Sequence, residues 1–324
     1  MKQWLHLQLH FYFIKICYMA TKIKVVGVGG SGLNAVTRMK RIGLTGVELI
    51  AINTDEQDLK KSQADFKLRI GRKLTQGLGA GMNPEIGRKS AEENRAEITD
   101  ALKDSQMVFI TCGLGGGTGS GAAPVVAEIA KKSGAITVAV VTKPFSFEGI
   151  FRKKIADSAE KLLKEKVDCL ISVENDKLLT TLDYKTTIVN AFWICDDILR
   201  QAVQGITDLI LAPGLINVDF ADIKTIMKNS GSALLGVAFA KGEKRAEIAA
   251  LSALQSKLLS ISPKGAKGVL FNVSGKDVSL AEIEEIGAII AREINPRAKI
   301  IFGAVRDLKL KPGEIKVTII ATGF

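Results

Sequence analysis

The sequence predicts an α/β protein: a Rossmann-like, mainly parallel sheet with helices on both faces, one long helix, then a smaller α/β domain with a mixed sheet. Three observations predict it. Short β-branched runs alternate with helical segments through the first half, the order that builds a parallel sheet covered on both faces. Glycine-rich loops follow strands and precede helices, as at the binding edge of such sheets. Residues 135–141 (AITVAVV) are nearly free of polar side chains and read as a strand buried on both faces.

The elements follow in order. Residues 22–27 (KIKVVG) are the first strand and run into Val28-Gly29-Gly30-Ser31-Gly32, with a helix from near Leu33. Residues 48–53 and 66–70 are the next strands. The glycine loop at 77–84 precedes a helix over about 84–102. A strand at 107–111 enters the loop 112–121, and a helix covers 122–132. The strand at 135–141, a helix over about 151–165 and a strand at 169–173 complete the series. A helix over about 187–211 comes next. Its Leu199, Val203, Ile206 and Ile210 recur at steps of four, three and four, an apolar stripe suited to packing between two domains. Ala212-Pro213-Gly214 stops it. Helices at 220–228, 245–258 and 280–294 then alternate with strands at 233–240, 268–274, 299–305 and 315–321. The domains read as an amino-terminal extension outside the core (1–20), a nucleotide-binding domain (21–186), a central helix (187–212) and a carboxyl-terminal α/β domain (213–324).

Composition narrows the chemistry. The 324 residues carry a formal charge of +11, but the basic residues are scattered and read as a solvated surface, with no specific nucleic acid expected. The only histidines are His6 and His10, so histidine bases and histidine metal sites are excluded from the body. Four cysteines without a CxxC pair exclude a disulfide scaffold or cysteine-rich zinc site, and no protein-held metal is expected. Residues 1–18 are apolar and aromatic but interrupted by polar side chains. They are too short and too polar for a membrane span, and Met19-Ala20-Thr21 makes a natural start just before the first strand.

The loops indicate a phosphate ligand. Gly27-Val28-Gly29-Gly30-Ser31-Gly32 fits the loose GxGxxG turn, which alone suggests a dinucleotide site or an empty tight turn. Asn53 and Asp55 follow the second strand, within reach of a ribose. The loop at 113–121 has six glycines in nine positions, so successive backbone N–H groups can face phosphate oxygens, with Thr118 and Ser120 as hydroxyl donors. No Gly-Lys-Ser/Thr closes it, so it is not a Walker A loop. With the loop at 77–81, three glycine loops on one sheet edge favour a nucleotide with two or three phosphates.

Gly113-Leu114-Gly115-Gly116-Gly117-Thr118-Gly119-Ser120-Gly121 resembles the tubulin signature loop. Ile52-Asn53-Thr54-Asp55, the run from Thr142 to Gly149 (TKPFSFEG), Asn217-Val218-Asp219-Phe220-Ala221-Asp222 and the ending Val317 to Phe324 are similar to the FtsZ family of prokaryotic cell-division proteins. The resemblance covers about residues 21–324. It implies GTP and GDP as ligands, with Mg²⁺ held mainly by phosphates and water. It places Gly29, Gly30 and Ser31 around the phosphates with Asn34 nearby, Gly81 and Asn83 in a loop sensing the γ-phosphate, and Gly115, Gly116, Gly117, Thr118 and Gly119 around the diphosphate. Glu148 and Arg152 would meet the ribose and phosphate side, Asn175 the sugar or base, Phe192 the guanine ring, and Asp196 the guanine edge. Read without the resemblance, Phe192 is a core residue and Asp196 a solvent-facing one. Ile150-Phe151, Ser172-Val173-Glu174 and Trp193-Ile194-Cys195 depart from the family's usual residues, which bears on base packing and exchange.

On spacing alone, Asp219 is an N-cap and Asp222 a first-turn acid. The resemblance makes Asn217, Asp219 and Asp222 catalytic, entering the nucleotide site of the next subunit. It implies a head-to-tail homopolymer, GTP hydrolysis activated by polymerisation, and a cytoplasmic protein at the midcell division site. It also implies a membrane tether or paralogue as partner, although the sequence ends at Phe324 without the tail that commonly binds one. An NAD-dependent enzyme, a non-hydrolysing filament paralogue, and a tubulin-like filament for DNA segregation or cell shape remain the alternatives.

Overall fold

The chain alternates strand and helix from its first described residue, as its apolar pattern requires. The computed structural model describes residues 21–179, 186–211, 216, 218–256 and 263–324. In the first half, strands β1 (Ile23–Val28), β2 (Val47–Asn53), β3 (Phe66–Arg69), β4 (Met107–Gly113), β5 (Ile136–Lys143) and β6 (Cys169–Glu174) lie among helices. These helices are α1 (Gly29–Ile42), α2 (Glu56–Lys61), α3 (Arg72–Thr75), α4 (Pro84–Glu93), α5 (Arg95–Ala101), α6 (Gly117–Lys132), α7 (Ile150–Lys166) and α8 (Asn175–Leu179). The long helix α9 (Ile188–Leu211) follows. Then come α10 (Phe220–Met227), β7 (Gly231–Lys241), α11 (Arg245–Leu254), β8 (Gly268–Gly275), α12 (Leu280–Glu293), β9 (Lys299–Arg306) and β10 (Glu314–Thr322).

All ten strands form one sheet in the order β3-β2-β1-β4-β5-β6-β7-β10-β8-β9. Strands β1 to β6 are parallel throughout. Strand β10 pairs antiparallel with β7 and β8, while β8 pairs parallel with β9. The parallel and mixed regions that the sequence predicts are therefore both present, but the second is not a detached sheet. Strand β7 continues the open edge of β6 through a short parallel ladder, Cys169 to Gly231, Leu170 to Ser232 and Ile171 to Ala233.

One face of the parallel region packs on α1, α9 and α10, where Val25, Phe109 and Val138 meet Leu199, Val203 and Ile206. The other packs on α4, α6 and α7 through Val26, Ile110, Val126 and Leu163. Helices α11 and α12 cover the mixed region through Ala249, Ile286 and Ile290. The stripe on α9 is buried at Leu199, Val203 and Ile206, and Ile210 is partly buried. The same cluster holds Leu235, Leu270 and Ile320, so α9 packs against both regions of the sheet.

Four boundaries differ from the sequence expectation. Helix α6 begins at Gly117 rather than near Ala122, because its glycines serve a close helix contact rather than a loose turn. Helix α1 likewise begins at Gly29 rather than near Leu33. The helix expected over 84–102 breaks at Asn94. There Asn94 Oδ1 accepts from Gly71 N at 2.8 Å and Nδ2 donates to Glu97 at 2.7 Å, local bonds that compete with the helical ladder. Helix α11 ends at Leu254, short of the expected 258; residues 257 and 258 lie outside the described residues.

Candidate nucleotide site

Parallel strands place their carboxyl ends on one edge, and the glycine loops extend from it. A cavity of about 310 Å³ opens there. One end is walled by Gly29, Gly30 and Ser31 after β1 and by Gly116, Gly117, Thr118 and Gly119 at the start of α6. Gly81 and Met82 of the third loop close over that end, and Asn53, Asp55 and Asp58 line its side. The other end is formed by Glu148, Arg152, Asn175, Phe192, Cys195 and Asp196. The site residues expected from the sequence in the nucleotide-binding half converge here, except Asn34, Asn83 and Gly115. Asn34 is exposed on α1. Asn83 caps α4, accepting from Glu85 N at 3.0 Å. Gly115 turns the loop with φ 100°.

The first end is built for an anion. Helices α1 and α6 both point their amino termini into it, and neither N-cap uses a side chain. Their first N–H groups and partial positive charge are therefore left for a ligand. The two glycine loops also meet backbone to backbone: a Cβ on Gly29, at φ 71°, would lie 3.0 Å from Gly119 N. Thr54 Oγ1 and Thr118 Oγ1 are hydrogen-bonded at 2.6 Å, tying β2 to the signature loop. Ser120, expected from the sequence to be a ligand donor, closes the loop instead, its Oγ accepting from Gly115 N at 2.8 Å.

The second end is aromatic and carboxylate-bearing. Phe192 is 39% exposed, packs edge-on to Phe145 at 5.4 Å, and so presents a free face. Asn175 is buried, and its Oδ1 has no hydrogen-bond partner among the described residues. Glu148 pairs with Arg152 at 2.5 Å and accepts from Phe145 N at 2.9 Å. Asp196 accepts from Ser31 Oγ at 3.3 Å. Burial pushes its carboxyl up to about 6, against the opposing pull of the Arg38 charge and the Ser31 bond. Burial also pushes the Cys195 thiol up to about 12, so this pocket-lining cysteine stays protonated at neutral pH.

An acid whose folded value is raised above its unfolded one destabilises the fold once it ionises. The cost is absent below the ordinary value of 3.8 and complete above about 6. Asp196→Asn should therefore stabilise the nucleotide-free protein at pH 7.5 by as much as about 3 kcal/mol. The gain should vanish near pH 3.5. Denaturant titration at the two pH values checks it; an equal effect at both would show that ionisation of Asp196 costs the fold nothing.

The acidic residues lie elsewhere. Asp219 and Asp222 are exposed, and neither lines the cavity. Asp219 caps α10 by accepting from Ala221 N at 3.0 Å, in keeping with the spacing, and Asp222 stands 3.7 Å from Lys299 Nζ. Asn217 lies outside the described residues. Helix α9 continues from Asp196, in the cavity wall, to Leu211, which at 1.5 Å per residue is about 22 Å. The acids follow the far end of that helix. Sequence reasoning missed Asp58, for which the signal was an acid one turn after Asp55.

Comparison with known proteins agrees with the geometry. The Tubulin/FtsZ family GTPase domain matches residues 22–183, and the FtsZ family C-terminal domain matches 231–324. A structure described as an empty FtsZ dimer from M. jannaschii is 46% identical, with a TM-score of 0.93, covering 98% of this chain and 92% of that one. A GTPγS-bound protofilament of CetZ2 from Haloferax volcanii shares the fold at 21% identity and a TM-score of 0.77, covering 93% of this chain and 92% of that one. The dinucleotide-enzyme alternative accounts for one loop only and finds no support in these matches. The chain belongs to the FtsZ family of tubulin-like proteins, and is a guanine-nucleotide-binding GTPase of the cytoskeletal, cell-division kind.

Proposed function

We propose that this protein hydrolyses GTP between successive copies in a head-to-tail filament, so that assembly completes the active site. The observation that carries this reading is the separation of Asp219 and Asp222 from the cavity of their own chain, at the opposite end of α9. In this reading Asp219 and Asp222, with Asn217, enter the next copy's cavity and polarise the water that attacks the γ-phosphorus. Phosphoryl transfer needs alignment and charge compensation above all, and the two uncapped helix ends provide both. Because one surface gives the acids and a different surface gives the nucleotide, the contact is heterologous and generates an open filament.

At the base end, Asp196 accepts from guanine N1–H and the exocyclic amino group, a pair of donors that adenine lacks. Phe192 lies against the ring, and Asn175 Oδ1 gains the partner it now lacks. Glu148 and Arg152 exchange part of their mutual pairing for ribose and phosphate. Residues 21–186 form the nucleotide half, 187–212 the connecting helix, and 213–324 the half that presents the acids. No group of three or more metal-ligating side chains gathers among the described residues, so Mg²⁺ would take most of its ligands from phosphates and water. The oxygens of Asp55 and Asp58 beside the phosphate end suit such a hard cation, which would neutralise developing charge. No helix among the described residues is long and apolar enough to cross a membrane. Attachment at a midcell division site in the cytoplasm would then run through a tether or paralogue.

The test is GTP turnover and light scattering over a protein-concentration series. The rate per subunit should stay low in dilute protein, rise as scattering appears, and level off once nearly all protein is polymerised. A constant rate per subunit across the scattering threshold would overturn the shared site.

A further inference from the structure

Beside the base end, Arg38 and Trp193, from two helices, form a pair that the proposed reaction does not use. The Arg38 guanidinium, from α1, lies over the indole of Trp193 at 3.8 Å from the ring centroid. Trp193 is 58% exposed even with the guanidinium over it. Arg38 Nη1 is buried without a hydrogen-bond partner among the described residues. Two carboxylates stand near it, Asp196 and Asp197. Asp197 is already engaged, by Arg200 Nε at 2.7 Å and Gln201 Nε2 at 2.6 Å. The Asp196 carboxylate has only the longer Ser31 bond at 3.3 Å. The charge left for Asp196 is therefore that of Arg38.

We propose that Arg38 and Trp193 are positioning residues for base recognition: the indole face fixes the guanidinium beside Asp196, and the guanidinium keeps that carboxylate an acceptor for both guanine donors. The proposal rests on the assignment of Asp196 to the guanine edge. It gives a function to Trp193, the bulky residue at a position where the family resemblance implies a small one. An ionised carboxylate accepts two hydrogen bonds along one edge, whereas a protonated one has turned part of that edge into a donor. Asp196 faces the Arg38 charge and the Ser31 hydroxyl of α1 and lies beside Cys195 on its own helix; Asp197, Arg200 and Arg41 stand around Arg38, and Glu148, before α7, stands near Cys195. Burial raises the Asp196 carboxyl to about 6 even with Arg38 in place, so removing that cation drives it further up, toward neutral pH.

The experiment compares the affinities of GTP and ITP, which lacks the exocyclic amino group, between pH 5.5 and 8.5. Protonation of the phosphates affects both nucleotides alike and cancels in the ratio. A variant with a loosened fold weakens both ligands and leaves the ratio's pH profile in place. In the unmodified protein the preference for GTP should be flat above pH 7 and fall at lower pH, where Asp196 protonates in the nucleotide-bound protein. Arg38→Gln should move that fall upward by about one pH unit, a loss of preference that grows down the falling limb to at most about tenfold. Arg38→Lys should retain the original profile through its charge. Trp193→Ala should shift it partway, and Trp193→Phe should restore it. Superimposable profiles for Arg38→Gln and the unmodified protein would overturn the proposal. Asp196→Asn separates the two levels of inference. If it keeps the full GTP preference at pH 8, the assignment of Asp196 to the base fails. If it loses the preference while Arg38→Gln leaves the profile unmoved, only the role of Arg38 and Trp193 fails.

Discussion

Filaments assembled from a mixture of Asp222→Ala and Gly117→Ala proteins should hydrolyse GTP, although each protein alone turns over at least tenfold more slowly than the unmodified chain. A tenfold loss corresponds to about 1.4 kcal/mol of transition-state stabilisation. The two lesions sit at opposite ends of the molecule. A Cβ at Gly117 would lie 2.8 Å from both Ala80 Cβ and Asn83 N, and 3.0 Å from Ala80 O. The added methyl must push the third glycine loop away from α6, opening the phosphate end. Asp222 is exposed, and its removal loses only a pairing with Lys299 at 3.7 Å in which both side chains are about half exposed, an interaction worth little. The Asp219 cap on α10 is untouched, which makes Asp222 the cleaner of the two acids to remove. In a random equimolar filament about one interface in four joins an intact cavity to intact acids, a consequence of the heterologous contact. Recovery should therefore approach roughly a quarter of the unmodified rate. Sedimentation with each variant separately labelled shows whether both enter the polymer. Co-polymers that contain both yet recover nothing would place the whole active site in one chain.

The legibility of this fold follows from where its information resides. Strands β4 and β5 lie between two helical layers, and their burial on both faces leaves a nearly unbroken apolar run that any reading finds. The stripe on α9 is legible for the same reason. Helices α2, α3 and α8 are too short to show a period, and from sequence they are indistinguishable from loops. The join between β6 and β7 is a three-residue ladder between segments about 60 residues apart, and nothing local specifies it. At the site, the glycine loops are legible as phosphate cradles because few other roles demand so many glycines between a strand and a helix. Phe192 and Asp196 are legible only through family resemblance. On a helix they look like one core residue and one surface residue, and only the tertiary arrangement puts both at the base end. Arg38 is invisible because its partners come from another helix far along the chain. The glycines mislead on one point. A run of glycine reads as flexible loop, yet half of the signature sequence is the first turn of α6.

That point makes the two ends of the glycine run separable by experiment: Gly121→Ala should damage folding, whereas Gly116→Ala should spare folding and damage binding. Gly121 lies on α6 against the start of α4. A Cβ there would collide with the carbonyl oxygen of Pro84 and lie 2.7 Å from Arg88 N. Backbone atoms cannot rotate out of the way as a side chain can, so the two helices must separate. Overpacking of this kind costs about 1–3 kcal/mol, and more when the neighbour cannot yield. For a chain of this size the melting temperature of the nucleotide-free protein should fall by roughly 2–5 °C. Gly116 has φ −93° and ψ 172°, a conformation that alanine adopts without strain. A Cβ there meets nothing within 4 Å, because the space in front of it is the cavity. Its loss at the N-cap should cost less than about 1 kcal/mol. The methyl would occupy the place where phosphate oxygens approach the backbone, and GTP affinity should fall at least about tenfold, or 1.4 kcal/mol. Melting of both nucleotide-free variants, with GTP binding measured on Gly116→Ala below its transition, reads the two effects separately. If Gly116→Ala melts as low as Gly121→Ala, or binds GTP unchanged, the division of the glycine run into a cavity-facing end and a helix-packing end is wrong.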